Sequence, residues 1–261
     1  MQSGSPHKFE GLHKKGITPE NSLRKTKQMA RDFGCDVPHW IECLQKVDSS
    51  EIMDWVKTNG SFFPLYTRSI DGFFPSDKSP IEALSSGDFK EDIQLLIGTV
   101  ANEGSSYLKN VLPDYFNRQN QKLIDKNQAK QFIRDLINYP NINNDAVAEF
   151  YVDHIYHENR NELRAAVASA YGDFRVTCPI YYYGKKVALH SNISRVHSFQ
   201  FQHKPKVGIP KNCVDWMGVC HADDLIFTFG SPLRLPDKYS IEDYYFSLLV
   251  INIWTSFVKT G

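Results

Sequence analysis

Ile93-Gln-Leu-Leu-Ile-Gly-Thr-Val-Ala-Asn-Glu-Gly104 is the stretch from which the fold class follows. From Ile93 to Val100 both alternating faces are mostly apolar, the pattern of a strand buried in a parallel sheet with helices on each side. Turn residues follow at once, so Glu103 stands at the carboxyl end of a strand, where open α/β sheets place their sites. A second strand is read at Val196-His-Ser-Phe-Gln-Phe-Gln-His203. Phe199 and Phe201 lie on one face of it and Ser198, Gln200 and Gln202 on the other, as near a sheet edge. The class is α/β.

Helices fill the rest. Thr18-Pro19-Glu20 supplies an N-cap, a first-turn proline and an early acid for a helix running to about Phe33, and Gly34 stops it. Short helices follow from Trp40 to Lys46 and after Ser49-Ser50-Glu51, and Asp71 to Lys78 is turn chemistry. A charged helix is read from Asp114 to Asn138. A second long one runs from Asn144 to about Tyr171, with Ala146, Val147, Phe150, Tyr151, His154 and Ile155 near helical spacing. Tyr244 to Val258 is apolar but interrupted by Ser247, Asn252, Thr255 and Ser256, so it reads as a core helix rather than a bilayer span.

At 261 residues, 41% hydrophobic and 13% aromatic, the chain can build a sizeable core. Thirty basic residues balance thirty acidic ones, which removes the electrostatic footprint of nucleic-acid binding. His7 to Lys15 is a short basic stretch broken by Glu10 and reads as a solvated loop. Met1 to Gly16 is polar and carries no apolar signal core.

Glu103 precedes His221, which lies in Trp216-Met-Gly-Val-Cys-His-Ala-Asp-Asp-Leu225. Acid before histidine is the order of the α/β-hydrolase triad, in which a serine inside Gly-x-Ser-x-Gly comes first. No two of the fifteen glycines are four residues apart, so the sequence contains no such turn. Met1-Gln-Ser-Gly-Ser-Pro6, Asp71-Gly-Phe-Phe-Pro75, Asn102-Glu-Gly104, Trp216 to Leu225, Phe227-Thr-Phe-Gly-Ser-Pro232 and Trp254-Thr-Ser-Phe-Val-Lys-Thr-Gly261 together resemble the type-B carboxylesterase/cholinesterase family. The resemblance implies the C-terminal part of an α/β-hydrolase fold, an incomplete sheet with inserted helices. Residues 1–261 would be a partial domain without the nucleophile turn and the extreme C-terminal part.

Carried over residue by residue, the resemblance makes Glu103 the triad acid and His221 the triad base. Ser3 would support Glu103 by hydrogen bonding, with a simple turn serine as the alternative. Asp224 matches an acidic position behind the site, with a solvent-facing acid or helix cap as the alternative. Five cysteines is an odd count. Cys35 and Cys43 resemble the family's small-loop disulfide. Cys178 matches a cysteine whose partner lies farther along, whereas the pairing of Cys213 and Cys220 is left open, with buried small hydrophobes as the default. His154 and His157 face a surface, since their order with Asp153 and Glu158 fits neither zinc-protease pattern. No cofactor and no metal is indicated. Asn59-Gly-Ser61 and Asn192-Ile-Ser194 are glycosylation sequons, Asn59 ranking first because it follows a helix end.

The implied activity is that of the later portion of a serine carboxylic ester hydrolase, inactive alone, acting on a small-molecule ester and secreted or on the extracellular face of a membrane. The rivals are a non-catalytic cholinesterase-like adhesion protein, a fragment of an acetylcholinesterase, and a truncated paralogue. Retention of Glu103 and His221 favours the enzyme, because a binding module does not require that pair.

Overall fold

The computed structural model describes residues 2–5, 19–36, 38–59, 80–117, 122–156, 160–190, 192–205 and 213–261. The chain divides into two compact units, residues 10–82 and residues 1–9 with 83–261. The expected turn at Asp71 to Lys78 lies outside the described residues.

In residues 10–82, helices α1 (Pro19–Asp32) and α2 (Trp40–Leu44) share a core of Ala30, Cys35 and Leu44, and α3 (Ser49–Asn59) follows. Gly34 takes a left-handed φ of +70°, and Cys35 N then donates to Ala30 O at 2.7 Å, closing the end of α1. The sulfurs of Cys35 and Cys43 are bonded, with Cα atoms 5.6 Å apart. α3 starts where Asp48 Oδ1 accepts from Ser50 N at 2.8 Å, and Trp55 Nε1 ties α3 to α1 by donating to Asp32. Helix α4 (Pro80–Ser86) spans the boundary between the units.

The larger unit is built on β1 (Gln94–Val100). It is followed by α5 (Ser105–Val111), α6 (Pro113–Phe116), α7 (Lys126–Leu136), α8 (Asn144–Val152) and α9 (Arg160–Gly172). One π-helical turn, Asp173–Thr177, leads into α10 (Cys178–His190), and β2 (Arg195–Phe201) pairs with β1 in parallel, Gln94 opposite Arg195 and Val100 opposite Phe201. After β2 come α11 (Leu225–Thr228), α12 (Ser231–Arg234) and α13 (Ile241–Thr260). β1 has main chain on both edges, because Gln2 bridges to Gly98 in parallel and Ser3 N donates to Gly98 O at 2.9 Å.

Alternation along β1 explains the layers. Leu95 and Ile97 pack with Val176, Ile180 and Val187 on the α10 side, whereas Val100 packs with Phe201, Phe227 and Val250 on the α11 and α13 side. A third core of Leu108, Phe116, Ile133, Leu163 and Phe174 joins α5, α6, α7 and α9.

Three sequence expectations need correction. The helix read from Asp114 to Asn138 is two, because Asp125 and Gln128 form a capping box that starts α7: Gln128 N donates to Asp125 Oδ1 at 2.8 Å and Asp125 N to Gln128 Oε1 at 3.1 Å. The helix read from Asn144 to Tyr171 also breaks, ending α8 at Val152. Its buried face carries Ala148 and Val152, with Ile155 just beyond, while Phe150 is exposed. Lastly, α13 turns Asp243, Ser247 and Val250 inward, and Tyr245, Leu248, Leu249, Ile253 and Val258 are exposed. Asp243 faces in because it closes a capping box with Ser240 and pairs with His203 Nε2 at 2.7 Å, so a polar start decides the rotation of the helix.

Candidate active site

β1 runs out at Val100, and the next three residues convert a strand end into a socket. Ala101 N still donates to Phe201 O at 2.9 Å, but Asn102 leaves β2 and pairs with the loop before His221. Its N donates to Val219 O at 3.0 Å and its Oδ1 accepts from Val219 N at 2.9 Å. Gly218 passes this side chain with φ +68°, and a Cβ there would stand 2.2 Å from Asn102 Oδ1. Glycine is required on both counts. Ser105 Oγ lies 2.8 Å from the carbonyl oxygens of Asn102 and Met217 and shares its proton between them. The Glu103 turn and the His221 loop are thereby fastened to each other.

Glu103 is held by three donors. Val100 N donates to Oε1 at 2.9 Å, Ser3 Oγ to the same oxygen at 2.5 Å, and His221 Nδ1 lies 2.6 Å from Oε2. The carboxylate is 1% exposed and the imidazole 29%, so the acid is enclosed and the base reaches solvent. A carboxylate oxygen facing Nδ1 suits an Nδ1–H donor, and the pairing leaves Nε2 as the ring nitrogen that Glu103 does not engage. Ser3 takes φ +48°, a left-handed value outside glycine, in the segment that runs along the edge of β1.

Behind the pair lies Asp224, 2% exposed, whose Oδ2 accepts from Gln2 Nε2 at 2.8 Å while its Oδ1 has no hydrogen-bond partner among the described residues. Burial pushes its carboxyl up, and the charge of Glu103 pushes the same way, against the hydrogen bond from Gln2. Asp224 precedes α11 without capping it. The solvent-facing and capping alternatives are both excluded by this geometry. Asp223 accepts from Cys220 N at 2.8 Å, and burial raises it too.

The structure does not bring every candidate here. His154 is exposed, its ring meeting Phe150 O, and His157 lies outside the described residues. Cys178 is an exposed free thiol at the start of α10. Asn59, the last residue of α3, and Asn192, in the turn before β2, are both exposed. Cys213 and Cys220 are not separate buried hydrophobes: their sulfurs are bonded across seven residues. Asp223 lies with them in a group of ligand-type atoms within 4.8 Å, but bonded sulfurs offer no thiolate to a metal.

The family model for the carboxylesterase family matches residues 1–261. The chain belongs to the carboxylesterase family. Over 272 residues it is 31% identical to an acetylcholinesterase of Bungarus fasciatus, a match covering 100% of this chain and 42% of that protein. It is 27% identical over 253 residues to a cholinesterase of Mus musculus, covering 93% and 40%, and 27% over 282 residues to an acetylcholinesterase of Electrophorus electricus, covering 94% and 43%. The chain spans less than half the length of these curated relatives. For a carboxylesterase family member the α/β-hydrolase fold is implied, and the parallel β1–β2 pair between helical layers is a partial version of it.

Sequence reading gave no role to Gln2, Asn102 or Ser105, which with Tyr107 surround Glu103 and His221 in this carboxylesterase family member. The Tyr107 ring lies 5.1 Å from that of His221 and the Arg175 guanidinium 4.8 Å over Tyr107, donating also to Tyr171 at 2.7 Å. Gln2 and Asn102 carried a signal, each sitting within a quoted motif, Met1-Gln-Ser-Gly-Ser-Pro6 and Asn102-Glu-Gly104.

Proposed function

We propose that this chain is the acid- and base-bearing portion of a serine carboxylic ester hydrolase. In it Glu103 fixes the tautomer of His221, and His221 Nε2 takes the proton of a serine hydroxyl contributed by sequence other than these 261 residues. The observation that carries this reading is the 2.6 Å contact from His221 Nδ1 to Glu103 Oε2, with the other carboxylate oxygen already saturated by Val100 N and Ser3 Oγ. Such a base–orienter pair is what nucleophile activation needs: the carboxylate stabilises the imidazolium formed during attack and later proton return to the leaving group. Ser3, beside the acid, supports Glu103 and is not the nucleophile.

The preferred substrate is an uncharged ester rather than a choline ester. In the family this chain resembles, the position three residues after the acid holds an aromatic that offers a quaternary ammonium its face; here that position is Ser106, and the aromatic next to it, Tyr107, already carries Arg175 over its ring. A second cation brought to that ring meets a like charge. The parent protein would be secreted, with Asn59 and Asn192 as exposed glycosylation acceptors.

The test uses a protein that joins this chain to a nucleophile-bearing N-terminal portion. E103Q and H221A are each expected to reduce kcat by roughly 10⁴-fold or more with the fold retained by circular dichroism. Near-normal turnover by either variant would exclude the pair. In the same protein uncharged thioesters should have a higher kcat/KM than acetylthiocholine of matched acyl length, and the reverse order would sink the substrate assignment.

A further inference from the structure

The segment that carries His221 is unusually constrained. Gly218 before it and Ala222 after it both have left-handed φ, +68° and +77°. A left-handed alanine is strained and persists only where surrounding contacts over-determine it. The contacts converge on Cys220. Its side chain is fully buried, its backbone forms an isolated parallel bridge with Asn102, and its N–H crosses His221 to donate to Asp223. Its sulfur lies 3.6 Å from Ser105 Oγ, the hydroxyl that also binds Asn102 O beside Glu103. The same sulfur is bonded to Cys213. One residue before the base, a covalent bond therefore closes the loop that contains Trp216, Met217 and Gly218, and it does so against the turn that presents the acid.

We propose that the Cys213–Cys220 disulfide is a positioning device for His221, so that opening it releases the base from Glu103 and makes turnover thiol-sensitive. The inference rests on the hydrolase reading only for its kinetic consequence; the alignment of His221 on Glu103 belongs to this chain alone. Opening the bond takes a dithiol reductant, which gives two electrons and two protons and becomes a cyclic disulfide, leaving Cys213 and Cys220 as thiols. The freed Cys220 keeps its backbone bridge but loses the tie to Cys213, and the left-handed Ala222 is then free to relax. A displacement of about 1 Å at a catalytic group costs on the order of 10²-fold in rate.

Two measurements test this. On the 261-residue chain, proton NMR reads the low-field resonance of the His221 Nδ1 proton shared with Glu103, and peptide mapping reads the state of the cysteines. The resonance is expected in the native chain and should broaden or vanish in C213A/C220A and in dithiol-reduced wild type, returning on reoxidation. On the joined, nucleophile-bearing protein, reduction is expected to lower kcat by roughly 10- to 100-fold with KM within about twofold. C213A/C220A should begin low and ignore the reductant although Cys35–Cys43 is still present. A merely structural staple would lower the melting temperature without moving the resonance or kcat well below it. Free thiols at both positions in the native chain, or an unchanged resonance in the folded double variant, would overturn the proposal. Should that variant not fold, reduction and reoxidation of folded wild type give the same reading. An inactive joined protein with an intact, reduction-sensitive resonance would sink the hydrolase reading and leave the positioning role standing.

Discussion

Asp224 carries the clearest pH consequence of any single side chain. It is buried, its Oδ1 has no hydrogen-bond partner among the described residues, and burial with the nearby Glu103 charge raises its carboxyl above the ordinary range. Between the unfolded value, about 3.9, and the raised folded value, the folded chain binds more protons than the unfolded one. This residue's contribution to stability therefore falls as pH rises through that window and is level above it. D224N cannot ionise and keeps an acceptor for Gln2. Its stability relative to wild type should improve as pH rises above about 4, the unfolded carboxylate value, in denaturant unfolding. A difference that does not change with pH would show that Asp224 is not raised. Asp243 has the opposite sign. Burial would raise it, but the hydrogen bonds from His203 and Ser240 outweigh that and hold it low, so its stabilisation is lost only as pH falls through its depressed value.

Elements meet most closely where α5 begins against the end of α9. A Cβ on Gly104 would stand 1.9 Å from Ala168 O and 2.5 Å from Gly172 N, both backbone atoms that cannot step aside. G104A should lower stability by roughly 3 kcal/mol, the upper range for overpacking, and displace the neighbouring Glu103. Gly184 in α10 is the contrast. A Cβ there would be 3.5 Å from the Ile97 and Val196 side chains, ordinary contact, and alanine is the better helix former. G184A should raise stability by about 0.5–1 kcal/mol. Thermal melts of the two variants decide the matter, and a G104A chain as stable as wild type would contradict the close crossing. Helix limits were legible in α1, which starts at Pro19 and is closed by Gly34. They were missed at α7, whose capping box sits inside a charged run, and at α8, which ends at Val152 inside a run of apolar residues near helical spacing.

At the scale of the whole molecule, the core formed by the described residues of the 10–82 unit is small, Ala30, Cys35 and Leu44, and the disulfide is expected to carry a large share of the stability of this part. Closing the short loop between Cys35 and Cys43 removes roughly 2.5 kcal/mol of unfolded-chain entropy. C35A/C43A should lose amide-exchange protection across 19–59, and unchanged protection there would refute that share. The sequence by itself determined the α/β class, because a strand apolar on both faces must be covered on both faces, and the family, through motifs spread from Gln2 to Gly261. It also placed Glu103 at a strand end and ordered acid before histidine, since both are properties of linear position. Tertiary structure alone decided what surrounds them. That Asp224 is buried against Gln2, 222 residues away, depends on which chain segments border β1. That Cys220 is bonded to Cys213 depends on a loop path that residue spacing does not specify. Local pattern records the burial a residue wants, whereas its partner is fixed by the packing of distant segments.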